Sequence, residues 1–297
     1  MGNTIWDGST DGDWGTAANW SDGVPATGDI AIIPSDAMVN IAGSDETASP
    51  FDQLVVEEGC AITLGSATAY LQLSMSGETA CSAELWGEGQ TYMDIVEAKA
   101  IRVYHAAASP GAGQFGLNLK GLTATNNPTL DVMCSSGESV GIAANAGEAG
   151  EYASIRVTGG DVTIGTVTES DGATAPDVVV SGGDVVTESP MGAVDVLGGV
   201  VNHYGGAITT LTIQDATFYQ RGVGTITNCI QYAGSTLDAS KDLRARTITN
   251  HTMGPQSTLV DPQKTITFTN GIDLSRARYG DVTIDRGYHF TITPSAI

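Results

Sequence analysis

One short phrase returns several times between residues 154 and 238. It reads Ser154-Ile155-Arg156-Val157-Thr158-Gly159-Gly160-Asp161-Val162, and then Asp177-Val178-Val179-Val180-Ser181-Gly182-Gly183-Asp184-Val185. A shorter copy is Val194-Asp195-Val196-Leu197-Gly198-Gly199-Val200-Val201. Two degenerate copies follow, around Asp215-Ala216 and Ala233-Gly234. Aligned on the small pair, the steps are 23, 16, 17 and 18 residues. Each copy alternates apolar and polar residues, turns at the small pair, and alternates again. Period 2 is the mark of a strand, and glycine supplies backbone angles at the turn that other residues resist. A strand-turn-strand unit of this length cannot bury its apolar face alone, so it must stack on copies of itself. The repeat therefore predicts an all-β solenoid.

Charge narrows the partners. Residues 1–98 hold 16 Asp plus Glu and no Lys or Arg, a net −16; residues 99–240 carry −8 and residues 241–297 carry +2. Stacked in chain order, such circuits would carry a charge gradient. Nucleic acid and anionic membrane are poor partners for this surface, since phosphate binding needs clustered cations. Basic protein surfaces or divalent cations fit better, and solubility alone is the plainer explanation. No run approaches transmembrane length, and the start Met1-Gly2-Asn3-Thr4-Ile5-Trp6 has neither the basic nor the apolar region of a secretion signal. Cys60, Cys81, Cys134 and Cys229 lie in apolar, strand-like contexts without a CxxC, so buried free thiols are expected.

Residues 1–43 have a different texture. Trp6-Asp7-Gly8, Asp13-Trp14, Asn19-Trp20, Val24-Pro25 and Gly28-Asp29 precede the apolar Ile30-Ala31-Ile32-Ile33. A solenoid end leaves one apolar face without a neighbour, and Trp6, Trp14 and Trp20 suit a cap over it. A tryptophan platform for sugars is the alternative. The order of these motifs resembles the openings of β-helical phage virion proteins and bacterial surface proteins, over some 40 residues, and the Gly-Gly phrases resemble the rungs of parallel β-helices. The resemblance implies a single-stranded right-handed parallel β-helix. It also implies a place in a virion or on a cell surface, and a homo-oligomer, with a trimer favoured.

Strand-like phrases continue through residues 44–240, with small-residue stretches at 106–114 and 141–151 that read as projecting loops. From residue 241 the texture shifts again. Lys241-Asp242-Leu243-Arg244-Ala245-Arg246 and Arg276-Ala277-Arg278 are the most basic runs, so Arg244, Arg246, Arg276 and Arg278 are the candidate docking residues. Residues 241–297 are expected to form terminal rungs or a small docking and oligomerisation module.

Chemistry-bearing patterns are sparse. Asp7, Asp11 and Asp13 look like a calcium loop, but the EF-hand pattern fails at Ser9 and Ala18, and an acidic turn explains them better. No cofactor is expected, calcium at this turn being the one alternative. Asp161 and Asp184 occupy like places after the Gly-Gly pairs, where a glycosidase pair could stand, but the next copy has Val200 there and solvated turn residues explain them better. Lys99, Arg102, Lys120, Arg156 and Arg221 are the mid-chain cations. His105, His203, His251 and His289 share no ligand spacing. Three functions are thus carried forward: a non-enzymatic virion protein that docks to capsid or tail proteins, a polysaccharide-degrading β-helix hydrolase or lyase, and a surface adhesin.

Overall fold

Apolar-polar alternation becomes strand after strand in the computed structural model, which describes residues 2–75, 81–120, 128–169, 175–277, 281–287 and 289–292. The protein is all-β with long parallel sheets, and its described helical content is one short turn at Ala17–Asn19. It divides into two compact units, Met1–Thr174 and Ala175–Ile297.

In the N-terminal unit, a first parallel sheet runs Gly2–Ile5, Asp29–Ile33, Gln53–Val56, Ser82–Leu85, Ala100–Val103, Thr129–Met133 and Ser154–Gly159. A second runs Leu71–Ser74, Thr91–Glu97, Leu117–Lys120, Ser139–Ile142 and Asp161–Ile164. From Gln53 onward the chain alternates between the two, pairing each strand with the one a circuit earlier. This is the course consistent with a β-solenoid. Register puts like positions in columns: Ala31, Leu54, Ala83, Ile101, Leu130 and Ile155 stack in one, all buried. Parallel neighbours lie about 4.8 Å apart, so each apolar side chain touches its equivalents above and below. Burying each Leu or Ile of the column is worth about 1.5–3 kcal/mol as an upper estimate.

The expected entry segment contributes the first two strands of this sheet. Of the expected loops, 106–114 is irregular apart from a bridge between Ala108 and Glu138. The other is an arm between two strands: Gly141 and Ile142 end Ser139–Ile142, and Gly150–Glu151 pairs in parallel with Val167–Thr168.

The C-terminal unit repeats the scheme. Its first sheet runs Asp177–Val180, Met191–Val196, Ile208–Ile213, Ile226–Gln231, Arg246–Met253 and Ile266–Phe268, with Ile272–Asp273 also on Arg246–Met253. Its second runs Asp184–Thr187, Val200–His203, Thr217–Gln220, Thr236–Asp238, Thr258–Val260 and Val282–Asp285. Val185, Val201, Phe218, Leu237, Leu259 and Ile284 form its buried column. The described strands from Arg246–Met253 to Val282–Asp285 are therefore further circuits. A final strand, His289–Ile292, pairs antiparallel with Val282–Asp285.

The Gly-Gly phrases form the bends between the two sheets. Gly160, Gly183 and Gly199 have φ of 84°, 81° and 74°, and each stands directly before a second-sheet strand. Gly159 and Gly198 need smallness instead: a Cβ there would lie 2.3 Å from the Cys134 carbonyl oxygen and 2.6 Å from that of Ser181. Gly182, half-buried, precedes Gly183 in the same bend. In later circuits the left-handed residue moves one place earlier, to Asp215, Gly234 and Gln256. Because Thr217 pairs with Thr236, Asp215 matches Gly234 and not Ala233, so the last step is 19 residues where the sequence alignment had 18.

Candidate functional site

The three N-terminal tryptophans are buried, at 1%, 1% and 4% exposure for Trp6, Trp14 and Trp20. Trp20 packs edge-on against both others, at centroid distances of 5.2 and 4.6 Å, and Trp14 lies 5.7 Å from Phe51. Buried faces cannot stack on a sugar, which removes the sugar-platform alternative. The adjoining acidic turn uses its carboxylates internally. Asp7, Asp11 and Asp13 accept from the backbone N–H groups of Ser9, Asp13 and Gly15. Buried Asn19 ties the turn together by donating to Asp11 Oδ1 and the Asp13 carbonyl, and its bond holds the Asp11 carboxyl below the usual range. Among the described residues, no three His, Cys, Asp or Glu converge to hold a metal ion.

The other sequence candidates scatter. Asp161 and Asp184 fall in different units, each the exposed first residue of a strand. All four cysteines are free and buried, and burial pushes the Cys134 thiol up to about 12. His105 pairs with Glu138 at 3.0 Å. His203 and His251 are buried, and the His289 side chain lies outside the described residues.

One polar cluster in the N-terminal unit was missed by sequence reasoning. Tyr70 donates to Glu148 Oε1 at 2.5 Å and accepts from the Asn118 and Asn145 amides. Asn145 also holds Glu148 through its side chain and its backbone N–H, both at 3.0 Å. Lys120 lies 4.2 Å over the Tyr70 ring and 3.8 Å from Asp94. Strand register explains half of this: Tyr92 pairs with Asn118 and Asp94 with Lys120, so both pairs line one face. The arm through residues 143–152 supplies Asn145, Glu148 and the fully buried Tyr152. Environment divides the two carboxyls. Burial, then Asp45 and Glu148, raise Asp94 against the opposing Lys120. Burial also opposes the charge of Glu148, but the bonds from Tyr70, Asn145 and Asn118 outweigh it and lower its pKa. Nearby, a shallow depression of about 440 Å³ is lined by small neutral residues, Asn40, Thr63, Ser66 and Ala69 among them.

In the C-terminal unit the basic candidates part ways. Arg246 is 2% exposed and donates to the carbonyls of Gln220, Ala239, Asp242 and Arg244 at 2.7–3.3 Å. It is an internal clasp and is withdrawn as a docking residue. Arg244 is exposed, but Asp242 holds its guanidinium through bonds at 2.9 and 3.1 Å, and Arg244 in turn brings Asp242 down to about 2. Arg276, exposed, donates to the Tyr232 hydroxyl at 3.0 Å. Arg278 lies outside the described residues. Arg221, which the sequence did not single out for docking, has its guanidinium 5.6 Å over the Tyr204 ring and 5.2 Å over that of Tyr219. Arg244 donates to the Arg221 carbonyl at 2.8 Å, so the corner between circuits carries a Tyr–Arg–Arg surface. Comparison with protein-family models, with curated proteins and with solved structures returned no match for this chain.

Proposed function

We propose that each unit is coiled as a right-handed parallel β-helix and that the protein is a non-enzymatic structural component of a bacteriophage virion, decorating the capsid or forming part of a tail fibre or spike. On this reading Trp6, Trp14 and Trp20 cap the first circuits, the C-terminal basic residues dock to other virion proteins, and the acidic N-terminal segment is displayed. The observation that carries it is the Tyr204–Arg221–Tyr219 corner. Arg and Tyr are the side chains that most often anchor protein interfaces, and here stacked circuits hold them in place. The test is to add gold-labelled full-length protein to particles assembled without it and to image them by electron microscopy. Label at one class of sites, lost on Arg276→Glu with Arg221→Glu, is the expected result. Unlabelled particles together with cleavage of a polysaccharide would end this reading.

A second reading, a polysaccharide hydrolase or lyase, is favoured by one arrangement: Tyr70 bonds Glu148 and lies under Lys120, which pairs with Asp94, and there burial raises the Asp94 carboxyl while hydrogen bonds lower that of Glu148. That divergence is what an acid–base pair requires. Release of reducing or unsaturated ends from a glycan panel, abolished by Glu148→Gln, would support it; no release from any glycan would remove it.

A further inference from the structure

The corner of the C-terminal unit is built around a cation with an unmet need. Arg221 follows Thr217–Gln220, and its backbone N–H donates to the His203 carbonyl of the preceding circuit at 2.8 Å. Its guanidinium lies over the rings of Tyr204 and Tyr219. Its Nε is buried without an acceptor and lies beyond a partner's reach, so a docking carboxylate would meet the terminal nitrogens. Among the described residues no carboxylate pairs with it, whereas its neighbour Arg244 is already neutralised by Asp242. Large apolar side chains stand exposed beside it: Tyr204 at 48%, Val223 at 52% and, next to Arg244, Leu243 at 75%. A guanidinium held over two rings loses little freedom when a carboxylate arrives, and bidentate pairing with a carboxylate is its strongest available bond. The surface therefore fits a partner that offers carboxylates around an apolar contact.

The chain itself carries such a surface. Residues 1–98 have 16 acidic and no basic side chains, and among them Met38 is 90% exposed and Ile5 41%. Asp36, two residues from Met38, and Asp7 are both exposed. Met38 is placed beside the Trp6–Gly8 segment, because Trp6 Nε1 donates to the Val39 carbonyl and the Val39 side chain lies against Gly8. We infer that the Tyr204–Arg221 corner of one molecule docks on the acidic, methionine-bearing surface around Asp36 and Met38 of a second copy. The two surfaces differ, so the contact is heterologous and propagates from copy to copy or closes into a ring. The inference rests on the docking reading above but names a different occupant.

Sedimentation velocity of the full-length protein over a range of concentrations tests it. The wild type should associate with rising concentration. Arg221→Glu, and separately Met38→Glu at a fully solvated position, should each weaken association at least tenfold, while Arg156→Glu leaves it unchanged. Mixing the two defective variants should yield a one-to-one dimer that grows no further, since each supplies the surface the other lacks. A wild type that stays monomeric at every concentration, association indifferent to both substitutions, or a mixture that stays monomeric would overturn the inference. Labelling of particles that persists in any of those cases would leave the proposed function standing.

Discussion

Arg246 shows how far a side chain's role can lie from its sequence texture. It sits in the most basic run of the chain, yet its guanidinium satisfies four backbone carbonyls from inside the fold. Arg246→Met should therefore destabilise the C-terminal unit by about 2–4 kcal/mol, the cost of leaving buried acceptors unpaired; urea denaturation of the full chain measures it. Buried His251 makes a second prediction. Burial lowers its pKa to about 4, from an ordinary 6.5. The unfolded chain thus binds the proton more readily, so this contribution is complete above pH 6.5 and is lost as pH falls toward 4. By pH 5 the loss is about 2 kcal/mol. His251→Gln keeps a donor for Gln231 and removes the titration, so its urea midpoint should fall less between pH 7 and 5 than that of the wild type. Neither role was legible in sequence, because burial at one position is decided by which circuit stacks above it.

Elements were far easier to read. Alternation and Gly-Gly bends identified strands and turns among the described residues of 154–238, since both are local properties of the backbone. The register of the degenerate copies was less legible, because Asp215 and Gln256 reach the left-handed region without being glycine. These positions carry strain that Gly199 does not, which gives paired expectations. Gln256→Gly should stabilise by up to about 1 kcal/mol, by relieving a left-handed non-glycine residue. Gly199→Ala should destabilise by about 2 kcal/mol or more, because its φ is 74° and a Cβ would lie 2.4 Å from the Gly183 carbonyl oxygen. Thermal melts of the two variants beside wild type decide both. The Tyr70–Glu148 cluster was invisible for a related reason. It joins residues 78 positions apart, and only the number of residues in each intervening circuit brings them together.

Across the whole molecule, net charge sets the conditions under which the fold is most stable. A chain at −22, with −16 in its first 98 residues, repels itself when folded. Salt shortens the Debye length from about 30 Å at 0.01 M to about 8 Å at 0.15 M. The melting temperature should therefore rise over that interval, and a fall would mean that local ion pairs such as Glu84–Arg102, 3.2 Å apart across two neighbouring strands of the first sheet, outweigh the repulsion. The final strand adds a consequence of another kind. A parallel sheet whose last strand is left uncovered presents a row of unpaired N–H and C=O groups, the natural template for strand addition by a foreign chain. His289–Ile292 lies over that row on Val282–Asp285 with opposite polarity. It acts as a plug, and chains truncated before residue 289 should convert to thioflavin-positive fibrils that the full-length protein does not form.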